Sequence, residues 1–229
     1  MKMTPPSARI ALLAASLALV PAHAYAAPPN AVLAFGPAHP GEAATFAFSF
    51  DGKYGPKNGE HVDDTISFKQ TGSDSVLVSA QRLKPSSIET SRTAAGAFAV
   101  PDKSSALADV IVDYNTTIEI ARHDAASYHA GDAWQSKIAL RTSPDSWENV
   151  TLDVKVAKAT AAGTELQASG HSESTLFFGG FTFPLDVTVH VTESLDAHGR
   201  LNTALLDVKE LTNGGSGPPI SYNWRLASK

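Results

Sequence analysis

Ser104-Ser-Ala-Leu-Ala-Asp-Val-Ile-Val-Asp-Tyr-Asn-Thr-Thr-Ile-Glu-Ile-Ala-Arg-His-Asp124 is the stretch on which the architecture turns, because it fits two templates at once. On a helical wheel Leu107, Val110, Ile111, Tyr114, Ile118 and Ala121 fall within a stripe about 100° wide. Ser104 or Ser105 would cap the N-terminus, and Arg122 and His123 lie near the C-terminus, where cations suit the helix dipole. The same residues also alternate: Val112, Tyr114, Thr116, Ile118 and Ile120 against Asp113, Asn115, Thr117, Glu119 and Ala121, with the β-branched content of a strand. Caps at both ends and a length of about 20 residues predict a helix over 104–124.

Outward from it the pattern is β. Upstream, Phe46, Phe48 and Phe50 alternate with polar or small residues from Thr45 to Asp51. A turn-rich stretch follows with Gly52, Gly55-Pro56 and Asn58-Gly59. Ile66 and Phe68, then Val76, Val78 and Ala80, mark two strands joined by a hairpin at Gly72-Ser73-Asp74, and Ser91 to Val100 reads as a weaker strand ending at Pro101. Downstream of a turn at His129–Asp132, alternating faces run through Trp134–Leu140, Val150–Val156, Leu166–Gly170, Phe183–Val191, Leu201–Leu211 and Ile220–Leu226. Pro184 restricts its position to an edge or a strand start.

The expected fold is mainly β (α+β): a single antiparallel, strongly twisted sheet or incomplete barrel of about nine to eleven strands, with one helix over its concave face. The alternative is an all-β sandwich. At the level of architecture alone the expected fold resembles exported half-barrel carriers that enclose apolar ligands, such as the lipoprotein-carrier superfamily. That likeness rests on no shared motif and transfers no residues.

The N-terminus carries an address. Lys2 and Arg9 precede an apolar run from Ile10 to Val20, and Pro21 leads into Ala-His-Ala-Tyr-Ala, so a signal peptide over residues 1–26 is expected to be cleaved after Ala24 or Ala26. The run is too short for the roughly 20 residues of a bilayer span. Residues 27–44, with Pro28, Pro29, Pro37 and Pro40, read as an extended segment, and 45–229 as one β-rich domain. The expected location is periplasmic or secreted. Without Lys2 and Arg9 the chain holds 16 basic against 23 acidic residues, a net −7. Such a chain is a poor partner for nucleic acid, and no integral span is expected after cleavage. There is no cysteine, so neither a disulfide framework nor a thiolate metal site exists.

Catalytic motifs are weak. Gly170-His171-Ser172-Glu173-Ser174 lacks the last glycine of a nucleophile elbow and runs into strand-like sequence, with His171 and Glu173 expected to pair on one face. No metal or cofactor is expected; the nearest ligand groupings are His123, Asp124 and His129 around the helix end, and His61, Asp63 and Asp64, read as a loop. Aromatics are more suggestive. Trp134, Trp147, Phe178, Phe181, Tyr222 and Trp224 are the candidate ligand-binding residues, with Trp147 placed in a polar loop and the Phe177-Phe178-Gly179-Gly180-Phe181 stretch expected to hold a bulge or a protruding ring. Continuous apolar faces outnumber convergent polar groups, so the expectation is a non-catalytic exported protein binding an apolar or amphipathic small molecule or lipid. A cell-envelope structural or protein-interaction module is the first alternative, and a hydrolase with an unrecognised site the second.

Overall fold

The computed structural model describes residues 41, 43–54, 59–92, 97–100, 105–122, 127–143, 146–178, 181–212 and 220–229. Strands β1 (Ala43–Tyr54), β2 (Gly59–Gln70), β3 (Ser75–Ala80) and β4 (Ser87–Ser91) precede helix α1 (Ala106–Ala121). Strands β5 (Ala133–Ser143), β6 (Ser146–Thr160), β7 (Gly163–Phe178), β8 (Phe181–Asp196), β9 (Leu201–Thr212) and β10 (Ile220–Ser228) follow. All ten lie in one antiparallel sheet, ordered β4-β3-β2-β1-β10-β9-β8-β7-β6-β5. It is two meanders joined where β10 pairs with β1, Phe50 standing opposite Trp224. The sheet is not closed: β4 and β5 are its two edges.

Several local expectations are corrected. Gly52 does not turn the chain; it is a buried residue inside β1, paired with Glu60 and Tyr222. His61, Asp63 and Asp64 lie on β2, not in a loop, because the Phe-rich β1 extends its ladder to Tyr54. The weak strand expected from Ser91 comes earlier, as β4, and the later part contributes a single bridge, Arg92 to Phe98. Trp147 belongs to β6, where it pairs with Arg141, and not to a polar loop. No bulge interrupts β7 and β8 near the glycine pair: the register runs unshifted to Phe178 opposite Phe181. Pro184 is tolerated because the β8–β9 ladder begins only at Leu185.

The helix forms as its caps predict. Ser105 is the N-cap, and its side-chain oxygen accepts from the Ala108 N–H at 3.1 Å. At the other end Arg122 is the C-cap and pairs with Glu119 at 2.9 Å, while His123 lies outside the described residues. The hydroxyls of Thr116 and Thr117 are satisfied within the helix, donating to the carbonyls of Val112 and Tyr114. Burial extends beyond the expected stripe to Ala108, Thr116, Thr117 and Ile120. The remaining face, Asp109, Val112, Asp113, Asn115 and Glu119, is only partly buried and mostly polar.

Along its length α1 packs against β5 on one side and reaches β3 and the segment that follows β4 on the other. Toward β4, Asn115 clamps the Phe98 backbone, accepting from its N–H and donating to its carbonyl, both at 2.8 Å. Toward β5, the Trp134 indole N–H donates to the Ile120 carbonyl at 3.1 Å and the Ser136 hydroxyl to the Glu119 carbonyl at 2.6 Å. Tyr114 packs among Phe46, Phe68 and Phe98, its ring centroid 4.3 Å from that of Phe68. This aromatic group joins Trp224, Leu206, Val189 and Val154 in one continuous core. The 16 residues of α1 span about 24 Å, whereas the 16 residues of β8 run for about 50 Å. The helix is therefore about half as long as the longest strands.

Candidate functional site

The concave face is built by alternation. Val187, Val189, Val191, Glu193 and Leu195 on β8 share one buried face with Leu166 and Ala168 on β7, Ala204, Leu206 and Val208 on β9, and Trp224 and Leu226 on β10. One member of that set is a carboxylate. Glu193 is 0% exposed, stands opposite Leu166 and Ala204 in the ladders, and neither of its oxygens meets a hydrogen-bond donor among the described residues. Burial holds its carboxyl well above the ordinary range. Tyr114 lies within electrostatic reach: burial, partly opposed by Arg92 and reinforced by Glu193, pushes its hydroxyl up to about 12.

A second buried carboxylate faces the same side. Asp64 is in phase with Val62, Ile66 and Phe68 on β2 and is 8% exposed. Its environment is the reverse. Oδ1 accepts from the Thr65 and Gln81 N–H groups at 2.6 and 2.9 Å, and Oδ2 from those of Leu83 and Arg82 at 2.7 and 3.0 Å. Burial alone would raise this carboxyl, but the backbone donors together carry it below its ordinary value. Asp64 thus organises the corner after β3 and is not available as a metal ligand.

On the outer side of α1 a cleft of about 500 Å³ follows the seam with β5. Val112, Asn115 and Glu119 line it from the helix, Lys137 and Ile138 from β5, and Asn149 from β6. This is the helix face opposite Tyr114, and polar side chains, Asn115, Glu119, Lys137 and Asn149, stand around the apolar Val112 and Ile138 in its lining.

The six aromatic candidates divide by position. Trp224 is core, 1% exposed between Phe50 and Leu206. Trp134 is half-buried, stacked on Tyr128 at 5.8 Å and tied to α1. Tyr222 is half-buried, stacked on Phe50 at 6.1 Å. Trp147, Phe178 and Phe181 have described backbones, while their side chains lie outside the described residues. The fold therefore does not gather the six into one pocket among its described side chains.

The other groupings are also resolved. His61 lies between two carboxylates, Nδ1 on Asp51 at 2.6 Å and Nε2 on Asp63 at 2.9 Å, which raise its pKa through hydrogen bonds and charge. His129 meets Asp132, while His123 and Asp124 lie outside the described residues. No group of three or more metal-binding side chains occurs among the described residues. His171 hydrogen-bonds Asp186 across the ladder and not Glu173. Ser172, its neighbour on the strand, points to the opposite face and donates to Glu148 at 3.0 Å. A serine and a histidine on opposite faces cannot form a nucleophile and base pair.

Comparison of the chain with models of known protein families, with curated proteins and with solved structures gives no match. Function has to be argued from the fold and its groups. No helix among the described residues is long and apolar enough to cross a membrane. Sequence reading missed the concave carboxylates Asp64 and Glu193 as interior groups. Their phase was the available signal: each occupies a position where its strand otherwise places an apolar side chain.

Proposed function

We propose that this is an exported, non-catalytic protein that binds an apolar or amphipathic small molecule, with α1 as a detachable occupant of the sheet's concave face. The observation that carries the reading is the manner of closure. Ten strands are joined by continuous backbone ladders into an open sheet, but α1 is held to it only through side-chain packing and a few side-chain hydrogen bonds. A guest that offers apolar surface can replace a helix far more readily than it can replace a strand. The cleft along the α1–β5 seam supports the same reading, since it is where such exchange would begin.

Native mass spectrometry of the folded protein, purified without detergent and followed by solvent extraction, tests it. The expected result is a discrete adduct, lost on denaturation, that is extracted as an amphipathic small molecule. A clean apo mass from folded protein would contradict the reading and favour an envelope interaction module that uses the free edges of β4 and β5.

A further inference from the structure

Glu193 is a costly residue with no structural return. A carboxyl removed from water without a hydrogen-bond partner destabilises the state that buries it, and an apolar side chain of similar size would not. Asp64 shows what a structural carboxylate looks like in this fold, with both oxygens met by backbone donors. Glu193 instead lies on the buried face near the C-terminal end of β8, flanked across the ladders by Leu166 and Ala204, with Tyr114 of α1 within electrostatic reach. Along β8 the surface beyond it is a run of valines, Val191 and Val189, beside Leu206. A single acceptor at one end of an apolar track matches a molecule with one donor group and one hydrocarbon tail.

We infer that Glu193 is the head-group site of the concave face, receiving the ammonium of a cationic amphiphile whose tail lies along Val191 and Val189 when α1 is displaced. The inference rests on the carrier reading and sharpens it by naming the charge of the guest. A bound ammonium supplies the hydrogen bonds and the opposite charge that the carboxylate lacks when the helix is seated, so the liganded state repairs what the closed state leaves open.

The test uses the full chain and two probes below their micellar concentrations, dodecylammonium and dodecanol, titrated by calorimetry and by tryptophan fluorescence. The expected result is saturable binding of both, with dodecylammonium at least tenfold tighter, and loss of that preference in Glu193→Gln with dodecanol affinity retained. Equal affinities in the wild type, or an undiminished preference in Glu193→Gln, would overturn the head-group assignment and leave the carrier reading standing. Failure of both probes to bind folded protein would overturn the two together. Should Glu193→Gln fold poorly, Glu193→Leu serves instead, with the same loss of preference expected.

Discussion

Two regions of the concave side each hold a buried carboxylate and treat it in opposite ways. In the corner after β3, the Asp64 carboxylate accepts four backbone N–H groups and its pKa falls. Beneath α1, the oxygens of Glu193 meet no donor among the described residues and its pKa rises. A polar group that finishes a fold is satisfied by that fold, whereas one left open points to something the closed state does not contain. The corner is structure; the interior under the helix is where the molecule is unfinished.

The largest expected effect comes from breaking the finished region. Asp64→Ala strands four backbone donors at a tight corner and is expected to cost about 3 kcal/mol, a drop of roughly 6–12 °C in melting temperature by calorimetry. A neutral result would mean that water replaces the carboxylate without loss. Glu193→Leu should move the other way, raising stability at neutral pH by about 1–3 kcal/mol in denaturant unfolding, since it removes an unmatched polar group from the core. Destabilisation of that variant would show that the carboxyl has a partner after all.

The contrast also has a pH signature. Asp64 is depressed below its ordinary value of 3.8, so the stability it contributes is present above that value and lost as pH falls through its folded pKa. Glu193 is raised above 4.5, so stability is highest below that value and declines as pH climbs from it toward the folded pKa. For these two groups the optimum is mildly acidic. Unfolding curves across pH should show Glu193→Gln flattening the decline above 4.5 and leaving the acid limb unchanged. The smallest effect is at the exposed His61, whose raised pKa should fall back toward 6.5 in Asp51→Asn when followed by NMR. Its contribution to stability, present below 6.5 and lost as pH rises through the folded value, should be negligible at so exposed a site.

Much of the sheet was legible because period-2 alternation is a local consequence of one buried face, and Trp134–Leu140, Val150–Val156 and Phe183–Val191 carry it without interruption. The helix was legible through its cap, Ser105, and ambiguous in its body because β-branched residues such as Val112, Thr116, Ile118 and Ile120 also alternate as in a strand. Strand ends were not legible. Gly52, His61 and Trp147 join strands because a paired neighbour extends the ladder past residues that locally signal turns. The site was less visible still. Glu193 and Asp64 are distinguished only by which backbone donors come near them: for Asp64 one is its neighbour Thr65 and the other three arrive from 17 or more residues away, and for Glu193 none arrives among the described residues.

The central claim is that α1 is a removable cover and not part of the sheet's cooperative core. Native-state hydrogen exchange of the amides from Val110 to Ala121, compared with those of β8 and β9, tests it most directly. The expected result is that the helix exchanges as a unit through an opening distinctly cheaper than the one that releases the sheet, and exchanges faster still when dodecylammonium is bound. Helix amides that exchange only with global unfolding, at the same free energy as β8, would contradict the account.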